Sequence, residues 1–348
     1  MMSQERKSMT YVRLGKSGLK VSKIILGCMS YGSREWQPWV LEEEESIKHI
    51  KFAYDAGINA FDTAGAYSNG DSEIILGKAI KQHNIPREEI VVMTKVFWVV
   101  GKEKKMFFRP FVAESNPDDY GYVNQHGLSR KNIFDSVKHS LERLQLDYID
   151  VLQCHRADPN TPIEETMQAL NDVVKAGFVR YIGMSSCYAW QFNAMQNYAL
   201  NNGLTAFISM QNHYNLVYRE EEREMFPTLK HFGVGSIPWS PIARGLVTRP
   251  LHQQTKRGEV EKLLQVYVQH TGTEDIVNCV EKIAKNKNVS MAQVALAWIM
   301  GREGVTAPIV GTTSLENLKD LLGAVNVELT DEEVKALKEP YTPQNPIM

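Results

Sequence analysis

The chain has 348 residues, 43% of them hydrophobic and 23% charged, with a formal net charge of −2. That is ordinary globular composition, with length enough for one large core or two smaller ones. The near-neutral balance, a basic run no longer than GKEKK (101–105) and the lack of an apolar stretch near the roughly 18 residues of a membrane span argue against nucleic-acid and membrane partners. In chain order the first feature is YVRLGKSGLKVS (11–22), two β-prone runs around Lys-Ser-Gly, which reads as a hairpin able to plug the bottom of a barrel. Eight β-rich runs follow: KIILGCM (23–29), INAFDTA (58–64), IVVMTKV (90–96), YIDVLQCH (148–155), VRYIGMSS (179–186), AFISMQN (206–212), GVGSIPWS (233–240) and APIVG (307–311). Most are continuous apolar runs, as expected of strands buried on both faces.

Helical periodicities lie between them. One carries Ile47, Ile50 and Tyr54 and stops at Gly57; the next carries Ile133, Val137, Leu141 and Leu144. A third opens with Thr161 as N-cap, Pro162 in the first turn and Glu164 closing a capping box, and ends near Gly177. A fourth opens on the capping-box pattern Ser290 to Gln293 and runs through Val294 and Trp298. Strands alternating with helices predict parallel βαβ units, and eight is the number that closes a barrel. The expected fold is therefore α/β, a (β/α)8 TIM barrel in one domain across 1–348. An open doubly wound sheet is the structural alternative; against it, LGCMSYG stands after the first strand where GxGxxG would be. The long connections 97–130 and 241–275 belong at the C-terminal mouth of such a barrel, where its chemistry is done.

Four cysteines (Cys28, Cys154, Cys187, Cys279) are scattered without CxxC or zinc-ligand spacing, so no metal site is expected. Reduced thiols and a polar start without a signal-peptide core predict a cytoplasmic protein.

Asp62, Lys95 and His155 fall at the C-terminal ends of three strands, and Tyr67 on the loop after the second. Each alone has a bland reading: a turn cap, a snorkelling lysine, a core histidine, a loop tyrosine. Together they make one device. A free phenol is too weak an acid to protonate an alkoxide efficiently at neutral pH, and a neighbouring ammonium favours its phenolate. A carboxylate keeps that ammonium charged and aimed, and an imidazole orients a carbonyl oxygen.

With these residues the sequence resembles the aldo-keto reductases, whose Asp-Tyr-Lys-His tetrad maps onto Asp62, Tyr67, Lys95 and His155. FDTAGAYSNGDSE (61–73) looks like that family's signature segment. The resemblance spans about 11–340 and is nearest the fungal aryl-alcohol dehydrogenase-like branch, through LGCMSYG, CHRAD, LNDVVKAGFVRYIGMSS and PWSPIARG. It implies reduction of aldehydes and ketones, with Tyr67 as proton donor and NADP(H) as cofactor.

The resemblance also implies which residues hold that cofactor. Ser185, Ser186 and Gln211 take the nicotinamide carboxamide, Ser186 departing from the commoner asparagine. Trp239 stacks under the ring, and Met29 lies beside it. Ser240, Pro241, Ala243 and Gly245 of SPIARGL approach the pyrophosphate. Gly311, Thr313 (read as a helix N-cap with Glu316), Asn317 and Asp320 serve the adenosine 2′-phosphate end. This chain lacks the basic residues that relatives carry at Thr313 and Ser314 and has Asp320-Leu321 where many have Glu-Asn; Arg249, Lys256 or Arg257 would compensate. Aromatics wall the mouth: Tyr31, Trp36, Trp39, Phe97, Trp98, with Tyr188 and Tyr214. Of these Tyr31 and Trp98 are the substrate-binding candidates, and the partner is a small aromatic or bulky carbonyl compound. Alternation turns Arg156 away from the His155 side chain, so an ion pair with a helix is as good a reading as a site role. Two other functions remain open. One is a cofactor-binding subunit resembling the potassium-channel β-subunits, against which His155 speaks. The other is a barrel hydrolase or a lyase using Lys95 as a Schiff base.

Overall fold

The structure is a computed structural model and describes residues 9–106, 116–253 and 262–347. β1 (Tyr11–Arg13) and β2 (Lys20–Ser22) form the antiparallel hairpin, with Tyr11 opposite Ser22. Then come β3 (Ile25–Gly27), α1 (Glu43–Asp55), β4 (Ala60–Asp62), α2 (Asp71–Gln82), β5 (Val91–Val96), α3 (Arg130–Leu144), β6 (Ile149–Cys154) and α4 (Ile163–Lys175). They are followed by β7 (Val179–Ser185), α5 (Ala189–Asn201), β8 (Phe207–Gln211), α6 (Met225–Phe232), β9 (Gly235–Ser236), α7 (Lys262–Gln269) and α8 (Thr273–Lys287). The last elements are α9 (Met291–Met300), β10 (Ile309–Val310), α10 (Leu315–Leu322) and α11 (Asp331–Lys338).

The eight strands from β3 onward are parallel and run in the order β10-β3-β4-β5-β6-β7-β8-β9. The ends of that row meet. Thr306 N–H donates to the Ser236 carbonyl at 2.7 Å and Ile309 N–H to the Pro238 carbonyl at 2.9 Å. An open sheet has no such closure, so the fold is the (β/α)8 barrel.

Side-chain period two explains the continuous apolar runs. Ile25, Ala60, Val91, Met93, Val151, Ile237 and Ile309 point inward and form a cluster separate from the one that packs the helices. Their neighbours Leu26, Phe61, Val92, Val96 and Leu152 point outward into the helix layer. Leu14 and Val21 of the hairpin join the inner cluster and are fully buried, so the hairpin does plug the bottom. β9 and β10 are only two residues each, shorter than the runs 233–240 and 307–311. Pro238 and Pro308 interrupt them, since proline has no ladder N–H. Their carbonyls still accept, from Ile309 and Ile25.

Two expected caps are displaced. Thr161 does not cap α4: Pro162 occupies the N-cap position without a side-chain bond, and the Thr161 hydroxyl donates to Asp158 at 2.8 Å. Thr313 does not cap α10: Ser314 does, accepting from Asn317 N–H at 3.3 Å. Ser290 caps α9 as expected, but the Gln293 side chain turns to Asp320 instead of closing a box. The connection after β9 is not a bare loop, since it contains a 3-10 segment (Ala243–Thr248) and α7. Lys256 and Arg257 lie outside the described residues. No helix among the described residues is long and apolar enough to cross a membrane.

Candidate active site

Asp62, Lys95 and Gln153 each stand two residues beyond an inward-facing apolar residue, namely Ala60, Met93 and Val151. Period two therefore turns all three into the barrel at its C-terminal end, where chain direction leaves the mouth. Register sets Lys95 opposite Gln153 and Ser185 opposite Gln211. Lys95 is buried and donates three ways: to Asp62 Oδ2 at 2.6 Å, to the Thr63 carbonyl at 2.9 Å and to Tyr67 Oη at 3.1 Å. Burial works against its ammonium, but the Asp62 carboxylate and Tyr67 outweigh that, and its pKa stands above the usual lysine value. A Schiff-base lysine must be neutral to attack, so this environment opposes the lyase reading.

Tyr67 reaches Lys95 from a tight turn in which Ser68 and Asn69 take left-handed conformations (φ 48° and 50°). Asn69 holds the turn to the following long connection, accepting from Gly101 N–H at 2.9 Å and donating to the Met106 carbonyl at 2.7 Å. Trp36, Val40 and Ala64 pack with Tyr67, and Met29 and Trp39 lie against them. His155 follows β6 directly and meets the Tyr67 ring edge-on, centroids 5.8 Å apart; Trp98 stands 6.3 Å from the imidazole. All four tetrad residues thus converge.

Gln153 and His213, which sequence reasoning passed over, and Arg156, which it left open between a helix ion pair and a site role, belong to the same place. Gln153 Nε2 donates to Asp62 Oδ1 at 2.8 Å. Its signal was the period itself, two residues before His155 on a strand already assigned. Arg156 donates to the His155 carbonyl at 2.6 Å, and its guanidinium lies 6.0 Å from the Trp98 ring. Among the described residues no carboxylate pairs with it, and burial pulls it down to about 10. Alternation could not decide between the two readings of it, because β6 ends at Cys154 and strand geometry no longer applies at residue 156. His213 stacks flat on Trp239 (4.1 Å, 10°) and on Tyr218 (4.1 Å, 11°), and bonds the Tyr267 hydroxyl. Burial holds it neutral, well below the usual histidine value.

The cofactor candidates divide. Gln211 points both amide hydrogens at protein acceptors, Asp62 Oδ1 and Gln153 Oε1, each at 2.8 Å. Ser185 Oγ donates to the Gln211 carbonyl at 2.8 Å and keeps its lone pairs. Ser186 Oγ accepts from Trp239 Nε1 at 2.9 Å and keeps its proton. Ser240, Ala243 and Arg244 are left-handed (φ 53°, 47° and 56°), and the turn is closed by backbone bonds from Ala243 N–H to the Ser240 carbonyl and from Gly245 N–H to the Ile242 carbonyl, both at 2.9 Å. Arg249 reaches this turn, with its Nε buried and without an acceptor among the described residues. A guanidinium whose buried Nε has no acceptor among the described residues, set beside this tight turn, is a donor that fits the diphosphate of a dinucleotide. After β10, Gly311 and Thr313 lead into α10, while the Asn317 N–H is taken by Ser314. Asp320 is committed elsewhere, accepting from Ser290 at 2.6 Å and Gln293 at 2.9 Å.

Among the expected wall residues, Phe97 and Trp98 are half-buried and pack edge to face, centroids 4.7 Å apart. Tyr31 and Tyr214 are instead fully buried in the core, Tyr31 against His49 of α1 and Tyr214 bonded to Glu222. Tyr188 is exposed at the start of α5. The four cysteines are free, and no cluster of metal-ligating residues occurs among the described residues.

Comparison with known sequences agrees with this geometry. The sequence profile of the Aldo/keto reductase family matches residues 23–341. The versiconal hemiacetal acetate reductase of Aspergillus parasiticus is 48% identical over 340 residues, 97% of this chain and 98% of that protein. A putative aryl-alcohol dehydrogenase of Schizosaccharomyces pombe is 50% identical over 339 residues, 96% of each. Another, from Saccharomyces cerevisiae, is 46% identical over 337 residues, covering 96% of this chain and 97% of the relative.

Proposed function

The chain belongs to the aldo/keto reductase family, among its fungal aryl-alcohol dehydrogenase-like members, and we propose that it reduces aromatic and bulky aldehydes and ketones with NADP(H). The observation that carries the reading is the bond from Lys95 Nζ to Tyr67 Oη at 3.1 Å, made while Asp62 holds the same ammonium at 2.6 Å. A phenol oxygen that accepts from an ammonium keeps its own proton for donation, and the ammonium stabilises the phenolate left behind.

Bound NADPH supplies the hydride. Tyr67 gives the proton to the carbonyl oxygen, and His155, edge-on to Tyr67, orients that oxygen. Lys95 and Asp62 reach the substrate only through the tyrosine. Ser185, Ser186 and Gln211 would hold the carboxamide, Trp239 the ring, and the turn from Ser240 to Gly245 with Arg249 the diphosphate. Phe97, Trp98 and the cluster of Trp36, Trp39 and Met29 favour a flat or bulky apolar substrate. Relatives named for a hemiacetal acetate and for aryl alcohols agree with that class.

The test is NADPH oxidation against a panel of aromatic aldehydes and ketones, with NADH alongside. Tyr67→Phe should lower kcat about a hundredfold or more while leaving cofactor affinity near wild type. Undiminished turnover in that variant would remove Tyr67 from its role. Tight NADPH binding without turnover on any substrate would favour the binding-subunit reading.

A further inference from the structure

We propose that Gln153 is a positioning residue that, together with Asp62, holds both hydrogens of the Gln211 amide, coupling the cofactor subsite to the Asp62–Lys95 pair. The proposal rests on the functional reading above.

Donors and acceptors fix the orientation of both amides. The Asp62 carboxylate, paired with Lys95 through Oδ2, offers Oδ1 as an acceptor only. Gln153 and Gln211 both stand 2.8 Å from Oδ1, so each must present its NH2 group. Gln153 has then turned its Oε1 away from Asp62, and that oxygen accepts the second hydrogen of Gln211 at 2.8 Å. Both Gln211 hydrogens are thereby consumed, and Gln211 Oε1 is left as an acceptor. An amide free to flip would offer donor or acceptor alike; this one offers an acceptor alone. That oxygen accepts from the amino end of a carboxamide and favours it over a ring substituent lacking N–H.

The surroundings leave Gln153 no alternative. It is fully buried. Across the β6–β7 ladder its neighbour is Gly183, where a Cβ would stand 3.3 Å from Gln153 Cγ and 2.4 Å from Ser209 Oγ. A side chain at 183 would collide first with Ser209 and also press on the glutamine stem. A leucine at 153 would fill similar space but leave Oδ1 with one side-chain amide donor, Gln211, and the second Gln211 hydrogen unheld.

The experiment measures binding without turnover, by quenching of tryptophan fluorescence with NADP+ and with its 3-acetylpyridine analogue, which has a methyl ketone for the amide. Wild type should prefer NADP+ by about tenfold or more, the weight of one well-made buried hydrogen bond. In Gln153→Leu the preference should fall to about threefold or less, because the Gln211 hydrogen that Gln153 Oε1 held is released and can donate to the ketone while Asp62 keeps the other. A second variant guards against simple packing loss. Gln153→Glu keeps the shape; protonated it can donate to Asp62 and accept from Gln211, and ionised it repels Asp62. Its kcat/KM should approach wild type at the acid end of the profile and fall more than about tenfold as pH rises, a dependence no space-filling role produces. Unchanged analogue preference in Gln153→Leu, or a Gln153→Glu profile parallel to wild type, overturns the proposal while the reductase reading stands. A wild type that neither binds NADP+ nor reduces carbonyls overturns the functional reading, and this inference with it.

Discussion

Lys95 shows how a costly residue is made tolerable. Taking an ammonium out of water costs several kcal/mol, and three acceptors at 2.6–3.1 Å offset it. Removing only the lysine strands Asp62, so Lys95→Met should cost about 3–5 kcal/mol of stability as well as activity. Lys95→Met combined with Asp62→Asn should recover most of that stability and none of the turnover. Chemical denaturation of both variants separates the two effects; a double variant as unstable as the single one would contradict the pairing. The sign of the pH dependence follows from the raised pKa. A lysine raised in the folded state contributes stability that is fully present below the ordinary value of 10.5 and is lost only above it. Between pH 6 and 9 this lysine should therefore add no slope to the stability profile. The tetrad was legible because strand-end positions and spacing suffice to align ionisable side chains. Gln153 was not, because a neutral amide in an apolar run signals nothing until its partners across the barrel are known. Arg156 stayed undecided because alternation stops where the strand stops.

At the scale of elements, the turn after β8 carries a buried carboxylic acid. Glu221 is buried and accepts from Asn212 at 3.2 Å, and Asn212 in turn accepts from Ser236 of β9 at 2.6 Å. Burial lifts its pKa to about 8, the Asn212 bond opposing and neighbouring Glu220 adding to the rise. A carboxyl raised in the folded state binds its proton more tightly there, so stability falls as pH climbs from the unfolded value of 4.5 toward 8. The loss is at most roughly 1.4 kcal/mol per pH unit from one group. Glu221→Gln should flatten that part of the Tm profile and be more stable than wild type at pH 9. Parallel profiles for the two proteins would show that Glu221 ionises normally. Element existence could be read from alternating apolar runs, but caps could not be placed to the residue. Thr161 and Ser314 show why: several adjacent hydroxyls can each cap, and tertiary partners such as Asp158 decide which one does.

The whole molecule holds its barrel from two ends, and these should respond differently. At the bottom, Gly15 is left-handed (φ 59°), and a Cβ there would meet the Gly233 carbonyl oxygen and the Gly235 nitrogen at 2.7 Å. Gly15→Ala should unseat the hairpin plug and cost about 2–4 kcal/mol. At the other end, the C-terminal segment straps the turn that supports the mouth. Tyr341 Oη accepts from Arg219 N–H at 2.9 Å and donates to Glu220 at 2.6 Å, and Ile347 N–H donates to Tyr218 Oη at 2.9 Å. Tyr218 stacks on His213 and His213 on Trp239, so the strap backs the ring proposed to carry the nicotinamide. Deleting residues 341–348 should therefore lower stability by about 2 kcal/mol and also weaken NADP+ binding about tenfold, whereas Gly15→Ala should leave binding unchanged in the protein that remains folded. Fluorescence titration below each variant's Tm makes the comparison. Equal loss of binding in both would mean that the mouth depends on the barrel as a whole, and unchanged binding in the deletion would show that the aromatic stack stands without its strap.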